Sequence, residues 1–404
     1  MNILYYNHYS GSVNFAREWR SYYLSKGFLS WGHEVSVVCA STHHMHREIV
    51  EQNESFINKN VDGVNFSWIK VPSYAGNGLS RIKSMLTFGA KVLFSDPIST
   101  LGLSQPDLII ASSVHPFHLL GALRWARKYK VPVFFEVRDP WPLSLNLLLG
   151  LSKWHPFSLL LQLFQYIGHK YTDKTISLAI NLEPYMREHG LDEGKFLYVC
   201  NGIDKTQERA SNSALDEKLT RLRDKYKRII IYTGSHGVPN ALEYVIDAFN
   251  SIDVSSIALV LVGDGKEKKN LIKRNCNSNC YFFPPVNKDE IQRVLSFADI
   301  CIISWQDISM YKYGVSPNKV FDYMWAKKPI IQALNSPQNQ VELANCGVNV
   351  KPGDTFEIKE AILDLSNRTD DELTHLGEKG YDFLMENYEF KDLAKKILDA
   401  YKDV

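Results

Sequence analysis

The sequence predicts an α/β protein built from two Rossmann-like, doubly wound domains facing across a cleft. Three observations carry that expectation. At 404 residues the chain exceeds what one hydrophobic core usually serves and is comfortable for two. Short apolar runs alternate with stretches of helical periodicity in two successive sets, the pattern of parallel sheets covered by helices on both faces. Glycine-containing turns follow several of those runs, at the carboxyl ends of strands where such folds receive ligands.

The first set opens with a strand over Ile3–Tyr6 and the Gly11-Ser12 loop, followed by a helix over Phe15–Trp31 and a strand over Glu34–Cys39. Leu108–Ala111, Pro116–Tyr129 and Val131–Val137 repeat strand, helix and strand, ending at Arg138-Asp139. After the strand Phe196–Val199, a boundary is expected near Asn201-Gly202-Ile203-Asp204, dividing the chain into domains 1–205 and 206–385. The second set begins with the strand Arg228–Tyr232, the turn Thr233–Gly237 and a helix over Pro239–Asn250. Strands follow at Ala258–Val262, Tyr281–Phe283, Ile300–Ile303 and Pro329–Gln332.

Composition narrows the function classes. A formal net charge of +1 argues against nucleic acid as the main partner. Residues 1–205 carry 20 Lys+Arg against 16 Asp+Glu, a mild basic excess compatible with weak attraction to anionic lipid. The six cysteines form no C-x-x-C and no zinc-type pairs, so free thiols are expected. The opening MNILYYNHYS runs straight into an apolar strand with no basic leader, which predicts no signal peptide and a cytoplasmic location.

Trp141–Gly168 is the most apolar region of the chain. Asn146, Lys153, Trp154, His155 and Pro156 interrupt it, so no run reaches the ~20 residues needed to span a bilayer. Buried packing and an interfacial surface, with Trp141 and Trp154 at headgroup depth, both remain open.

The segment from Tyr311 to Met324 carries the most chemistry. A glycine-containing turn through Gly314, Val315 and Ser316 leads through Pro317 and Asn318 into a helix, where Pro317 suits an early helical position. Outward backbone N–H groups complement phosphate, and Lys319 adds a positive charge in the first turn. Asp322, three residues on, can accept ribose hydroxyls; an ordinary cap with solvated Lys and Asp is the alternative. The turns Gly234-Ser235-His236-Gly237 and Gly263-Asp264-Gly265-Lys266 follow apolar strands and are expected to converge with it, as is Val286 beyond the strand Tyr281–Phe283. No D-x-D occurs, which predicts a metal-independent site where helix N-termini and basic side chains meet leaving-group charge. In the first half, His115 and the pair Arg138-Asp139 follow strands and are candidates to contact a reacting sugar and activate an acceptor hydroxyl. A capping His115 and an Arg138–Asp139 ion pair are the bland alternatives. His8, His43, His44 and His46 are less informative, and a metal site there is not expected.

These residues match a family. Tyr313–Met324 followed by Ala326-Lys327-Lys328-Pro329-Ile330-Ile331 resembles the S-P-N-K-L-F-D-Y-M-x-A-G-K-P-I signature of family 4 glycosyltransferases of the WbuB type, fucosamine transferases of O-antigen and capsule assembly. Asn7-His8-Tyr9-Ser10-Gly11-Ser12, Glu136–Pro142, Ser152-Lys153-Trp154-His155-Pro156 and Asn201–Asp204 extend the resemblance over nearly the whole chain. It implies a GT-B fold, a last helix near Phe390–Tyr401 within 386–404 returning to the first domain, and no metal. The implied reaction is retaining transfer from a UDP-sugar. The implied acceptor is a saccharide on undecaprenyl diphosphate, which favours a peripheral place on the inner membrane surface for Trp141–Gly168. By position Asp322 matches the second acidic residue of the family's E-x7-E pattern, His115 the histidine contacting the donor sugar, and Gly11 the glycine loop under the diphosphate.

The chain also departs from the pattern. Gly314 stands where the first glutamate is usual, so backbone groups of Val315 and Ser316 are expected to replace it. The usual Arg and Lys near Gly234–Asn240 are missing, leaving Lys319 as the diphosphate cation. Both changes fit a deoxy or N-acetylated sugar such as N-acetylfucosamine. A nucleotide-sugar epimerase of the same fold and a non-catalytic nucleotide-sugar-binding scaffold are the competing readings.

Overall fold

In the computed structural model, residues 1–12, 18–44, 54–74, 76, 78–113, 115–207, 209–253 and 255–404 are described, Leu149 by its backbone only. Two compact units result: Met1–Asn201 together with Phe390–Val404, and Gly202–Glu389.

The first unit holds an eight-stranded sheet of β1 (Asn2–Tyr6), β2 (Glu34–Ala40), β3 (Phe56–Val61), β4 (Val64–Ile69), β5 (Leu108–Ser113), β6 (Val133–Val137), β7 (Lys174–Ser177) and β8 (Phe196–Tyr198). Their order is β3-β4-β2-β1-β5-β6-β7-β8. Among the described residues only the edge strand β3 runs antiparallel, paired with β4. The order reverses between β1 and β5, where Ile3 sits opposite Leu108. Strands such as Leu-Ile-Ile-Ala-Ser-Ser of β5 are buried along their whole length, as a sheet covered on both faces requires.

The second unit holds six parallel strands, β9 (Arg228–Thr233), β10 (Ile257–Val262), β11 (Cys280–Phe283), β12 (Ile300–Ser304), β13 (Ile330–Ala333) and β14 (Gly347–Val350), in the order β11-β10-β9-β12-β13-β14. Here the order reverses between β9 and β12. The apolar runs of β9 and β10 form the middle of one core with the helices Leu242–Asn250 and Thr355–Asn367. Mixed α/β architecture with parallel sheets is thus present in both units.

Several helices begin later than periodicity suggests. The helix expected over Phe15–Trp31 is Arg20–Ser30, and residues 13–17 lie outside the described residues. Pro116 opens a turn, accepting from Leu119 N at 3.0 Å, so that helix is Leu119–Tyr129. Pro239 sits in a 3-10 turn, Val238–Asn240, and left-handed Ala241 (φ 46°) separates it from the helix Leu242–Asn250. The β3–β4 hairpin is absent from the expected elements, although Asp62 (φ 53°) and Gly63 (φ 87°) form the two-residue turn that such a dipeptide favours.

The helix Phe390–Tyr401 packs on Arg20–Ser30. Gly27 permits the approach: a Cβ there would come within 2.6 Å of the Phe390 carbonyl oxygen and 2.8 Å of the Ala394 Cβ. Tyr23 and Phe390 stack at 5.4 Å, and Leu393, Ala394 and Ile397 are fully buried.

Trp141–Gly168 forms the helices Leu143–Leu149 and Pro156–Tyr171. Leu161 packs with Met85 and Phe117, and Trp141, Leu145, Phe157 and Phe164 close over them. The longer helix is otherwise inverted. Its buried face holds Ser158, Gln165 and His169, while Leu159, Leu160 and Leu163 (54% exposed) face outward with Leu147, Leu148 and Trp154 (72% exposed). The region therefore has an inner apolar layer, which includes Trp141 expected at headgroup depth, and an outer apolar surface that includes Trp154. No helix among the described residues is long and apolar enough to cross a membrane.

Candidate functional site

In the second unit, the carboxyl ends of β9 and β10 run into two glycine turns that interlock. Gly234 (φ 142°) and Gly263 (φ 151°) hold backbone conformations that side chains rarely adopt. A Cβ on Gly263 would overlap the Gly234 carbonyl, and one on Gly265 would overlap that of His236. Gly234 N donates to Val262 O (2.9 Å), and His236 N donates to Asp264 O (2.8 Å). The His236 ring is buried against Tyr232 and Phe282, with neither ring nitrogen hydrogen-bonded. Burial, reinforced by the Lys268 charge, pushes it down to about 4, so it is neutral at physiological pH.

The helix Asn318–Trp325 brings Lys319 to the first of these turns. Lys319 runs along Gly234, where a Cβ would strike its side chain, and its ammonium meets Asn240 Oδ1 and the Tyr232 ring. Burial lowers Lys319 to about 8. Gly234, Ser235, His236, Gly263 and Lys319 are thus brought together as expected from their turns. Pro317 caps the helix from outside in an extended conformation, not from a helical position, and Asn318 is the first helical residue. Gly314 has φ 104°, and Val315 O accepts from Gln340 Nε2 at 3.4 Å. Val315, Ser316 and Val286 are half-buried, the last in the loop after β11.

Asp322 is not the solvated carboxylate of the bland alternative. It is buried and ion-paired through Oδ1 to Lys288, a residue that spacing does not reveal. Lys268, also missed, donates to Gly263 O (2.6 Å) and Phe283 O (2.9 Å), tying the second glycine turn to the end of β11.

In the first unit, the strands on either side of the reversal end in histidines. His8 follows β1 and His115 follows β5; both are fully buried, their rings meet edge-on at 4.8 Å, and no ring nitrogen of either is hydrogen-bonded. Burial holds both well below the usual histidine range, with the His118 and Arg81 charges adding to the effect. His115 is not a helix cap, since the following helix starts at Leu119 without a side-chain cap. Gly11 and Ser12 are buried on the same loop as His8. His46 and Val114 lie outside the described residues.

The Arg138–Asp139 ion pair is not the one formed. Arg138 pairs with Glu18 at 2.6 Å. Asp139 is open to solvent, yet surrounding protein raises its carboxyl, an effect Arg138 partly offsets. Beneath them Glu136 accepts from Arg20 Nε (2.9 Å), Tyr5 OH (2.5 Å) and Ser112 Oγ (2.5 Å). Burial alone would raise Glu136, but the Arg20 and Arg138 charges hold it below the usual carboxylate range. Its sequence signal was a single acidic residue inside the apolar strand Val133–Val137, which burial permits only when the charge is paired. Among the described residues no group of three or more His, Cys, Asp or Glu is placed to hold a metal ion.

Comparison with known proteins agrees with this architecture. A family model for Glycosyltransferase Family 4 matches residues 18–207, and one for Glycosyl transferases group 1 matches residues 227–368. WcaI of Escherichia coli (strain K12), which carries the name of a colanic acid biosynthesis glycosyl transferase, is 23% identical over 284 residues, 67% of this chain and 69% of that protein. Sucrose-phosphate synthase from Thermosynechococcus elongatus has a similar structure, with a TM-score of 0.73 at 14% identity over 100% of this chain and 98% of that one. Anabaena Alr3699/HepE in complex with UDP-glucose gives 0.65 at 12% identity, covering 100% of both chains. An E. coli trehalose-6-phosphate structure bound with UDP-2-fluoro glucose gives 0.71 at 10%, over 100% of this chain and 99% of that one. With its first unit matched by one glycosyltransferase model and its second by another, this chain belongs to the family 4 glycosyltransferases of GT-B fold.

Proposed function

We propose that the chain is a retaining transferase that moves a deoxy or N-acetylated hexose, such as N-acetylfucosamine, from a UDP-sugar to a saccharide carried on undecaprenyl diphosphate. In this reading it needs no metal and works at the inner face of the cytoplasmic membrane in surface polysaccharide assembly. The observation that carries the donor assignment is the seating of Lys319 along Gly234, three residues before Asp322 on the same helix. This supports reading Lys319 as the cation for a diphosphate, at a turn where a side chain would block close backbone approach, and Asp322 as the carboxylate for a ribose. Gly11 and Ser12 of the first unit, and the second-unit residues from Gly234 to Asp322 described above, are assigned to the donor. The similar structures solved with UDP-glucose and UDP-2-fluoro glucose support a UDP-linked donor here.

His115, with Arg138 and Asp139, is assigned to the reacting sugar and acceptor. A neutral imidazole both donates and accepts, which suits sugar hydroxyls better than phosphate. The inverted helix Pro156–Tyr171 supports membrane contact, because burying Ser158 and Gln165 while exposing Leu159, Leu160 and Leu163 is favourable only where the outer face meets something other than water.

Thermal stabilisation by UDP, GDP, ADP and dTDP tests the donor site in wild type and Asp322→Ala. At a hundredfold excess over Kd, a ligand adds ~2.7 kcal/mol, on the order of a 5 °C rise in Tm. A rise with UDP that disappears in the variant supports the reading, and the absence of any rise refutes it.

A further inference from the structure

We infer that Lys288 is a positioning residue of the nucleotide site: it holds the Asp322 carboxylate for the ribose diol and thereby makes the chain select ribonucleoside over dideoxyribonucleoside diphosphates. The inference rests on the assignment of Asp322 to the ribose. Lys288 lies in the loop between β11 and the helix Ile291–Ser296, thirty-four positions from Asp322 in sequence, yet its ammonium meets Asp322 Oδ1. Both side chains are largely withdrawn from water, 14% and 12% exposed. A surface lysine bridging a surface aspartate contributes little, whereas a pair this enclosed is held in one geometry.

The loop is built to present Lys288. Asn287 N donates to Glu290 Oε2 (2.9 Å) and Glu290 N donates back to Asn287 O (3.2 Å), closing a turn with Lys288 inside it. From the following helix Gln292 Nε2 donates to the Asp322 carbonyl oxygen at 3.0 Å. One segment therefore grips both the backbone and the side chain of Asp322. Val286, assigned to the donor, opens the same loop. A single ammonium on one carboxylate oxygen leaves further lone pairs for ribose hydroxyl donors. A ribose diol would fill them, and a dideoxyribose would leave them unmet.

Titration calorimetry of UDP and 2′,3′-dideoxy-UDP on wild type, Asp322→Ala, Lys288→Met and Lys288→Arg tests the inference. Wild type is expected to favour UDP by about tenfold to a hundredfold, the worth of one or two hydrogen bonds to charged groups. Asp322→Ala should abolish the preference. Lys288→Met should abolish it as well, lowering UDP affinity while leaving dideoxy-UDP affinity unchanged, and that unchanged binding also shows the variant is folded. Lys288→Arg should keep most of it. A Lys288→Met protein that retains the wild-type ratio overturns the inference and leaves the ribose role of Asp322 standing. An equal loss for both nucleotides overturns it too, by placing Lys288 on the phosphates or the fold. No preference in wild type removes both.

Discussion

The two sheet reversals differ in where their charge goes. In the first unit two charged pairs near the β1–β5 reversal are internal, Arg20 with Glu136 and Arg138 with Glu18, and the buried groups without a hydrogen bond there include the neutral His8, His115 and Ser12. In the second unit the groups beside the β9–β12 reversal include Lys319, resting on a neutral amide and an aromatic ring that an anion can replace. Two sheets of similar topology thus present different chemistry at the same topological position. Under the proposed function, the first would serve the hydroxyl groups of the reacting sugars and the second the diphosphate of the nucleotide.

Breaking the internal pairing of the first unit should have the largest effect. Glu136→Ala leaves Arg20 buried without its partner, and urea unfolding should register a loss of about 3–5 kcal/mol. The equivalent disruption in the second unit is geometric. Gly263→Ala places a methyl group against the Gly234 carbonyl at a positive φ, and it should cost about 1–3 kcal/mol and abolish UDP stabilisation in the same thermal assay.

Acid sharpens the contrast. His236 is held to about 4 when folded but titrates near 6.5 when unfolded, so the unfolded chain binds the proton first. Its contribution is full above pH 6.5 and declines by about 1.4 kcal/mol per pH unit as the pH falls towards 4. His8 and His115 add losses of the same sign in the first unit, and His115→Phe should flatten part of the acid limb of a Tm-against-pH curve. The smallest effect lies at the other end of the scale. With Lys319 at about 8, UDP affinity should fall as the pH rises through 8, by at most about tenfold per unit. Lys319→Arg, which stays charged, should lose that dependence in calorimetry; an unchanged slope would remove Lys319 from the diphosphate.

Much of this was visible in the sequence because it is local. Continuous apolar strands such as Ile257–Val262 announce a parallel sheet, and Lys319 and Asp322 share a helix, so their spacing alone places them together. What escaped is either too short or too remote. Lys174–Ser177 and Gly347–Val350 are four-residue strands with little apolar content to mark them. The Lys288–Asp322 and Arg20–Glu136 pairs join residues 34 and 116 positions apart, and no periodicity encodes such a meeting. His8 looked uninformative because a lone histidine at a strand end has no spacing to read; only its burial beside His115 distinguishes it.

The seat of Phe390–Tyr401 on Gly27 has a consequence for how the chain is made. Residues 20–30 emerge from the ribosome early and residues 390–401 some 360 positions later, yet each helix buries its apolar face on the other. Domains usually fold in the order of synthesis, but here the second unit has all its residues before the first does. The earlier unit must therefore wait, its Tyr23 and Gly27 face uncovered, while the later one is translated and folds. In a living cell that interval exposes the first unit to chaperones and proteases, and a stop codon before residue 390 would leave the second unit whole and the first unfinished.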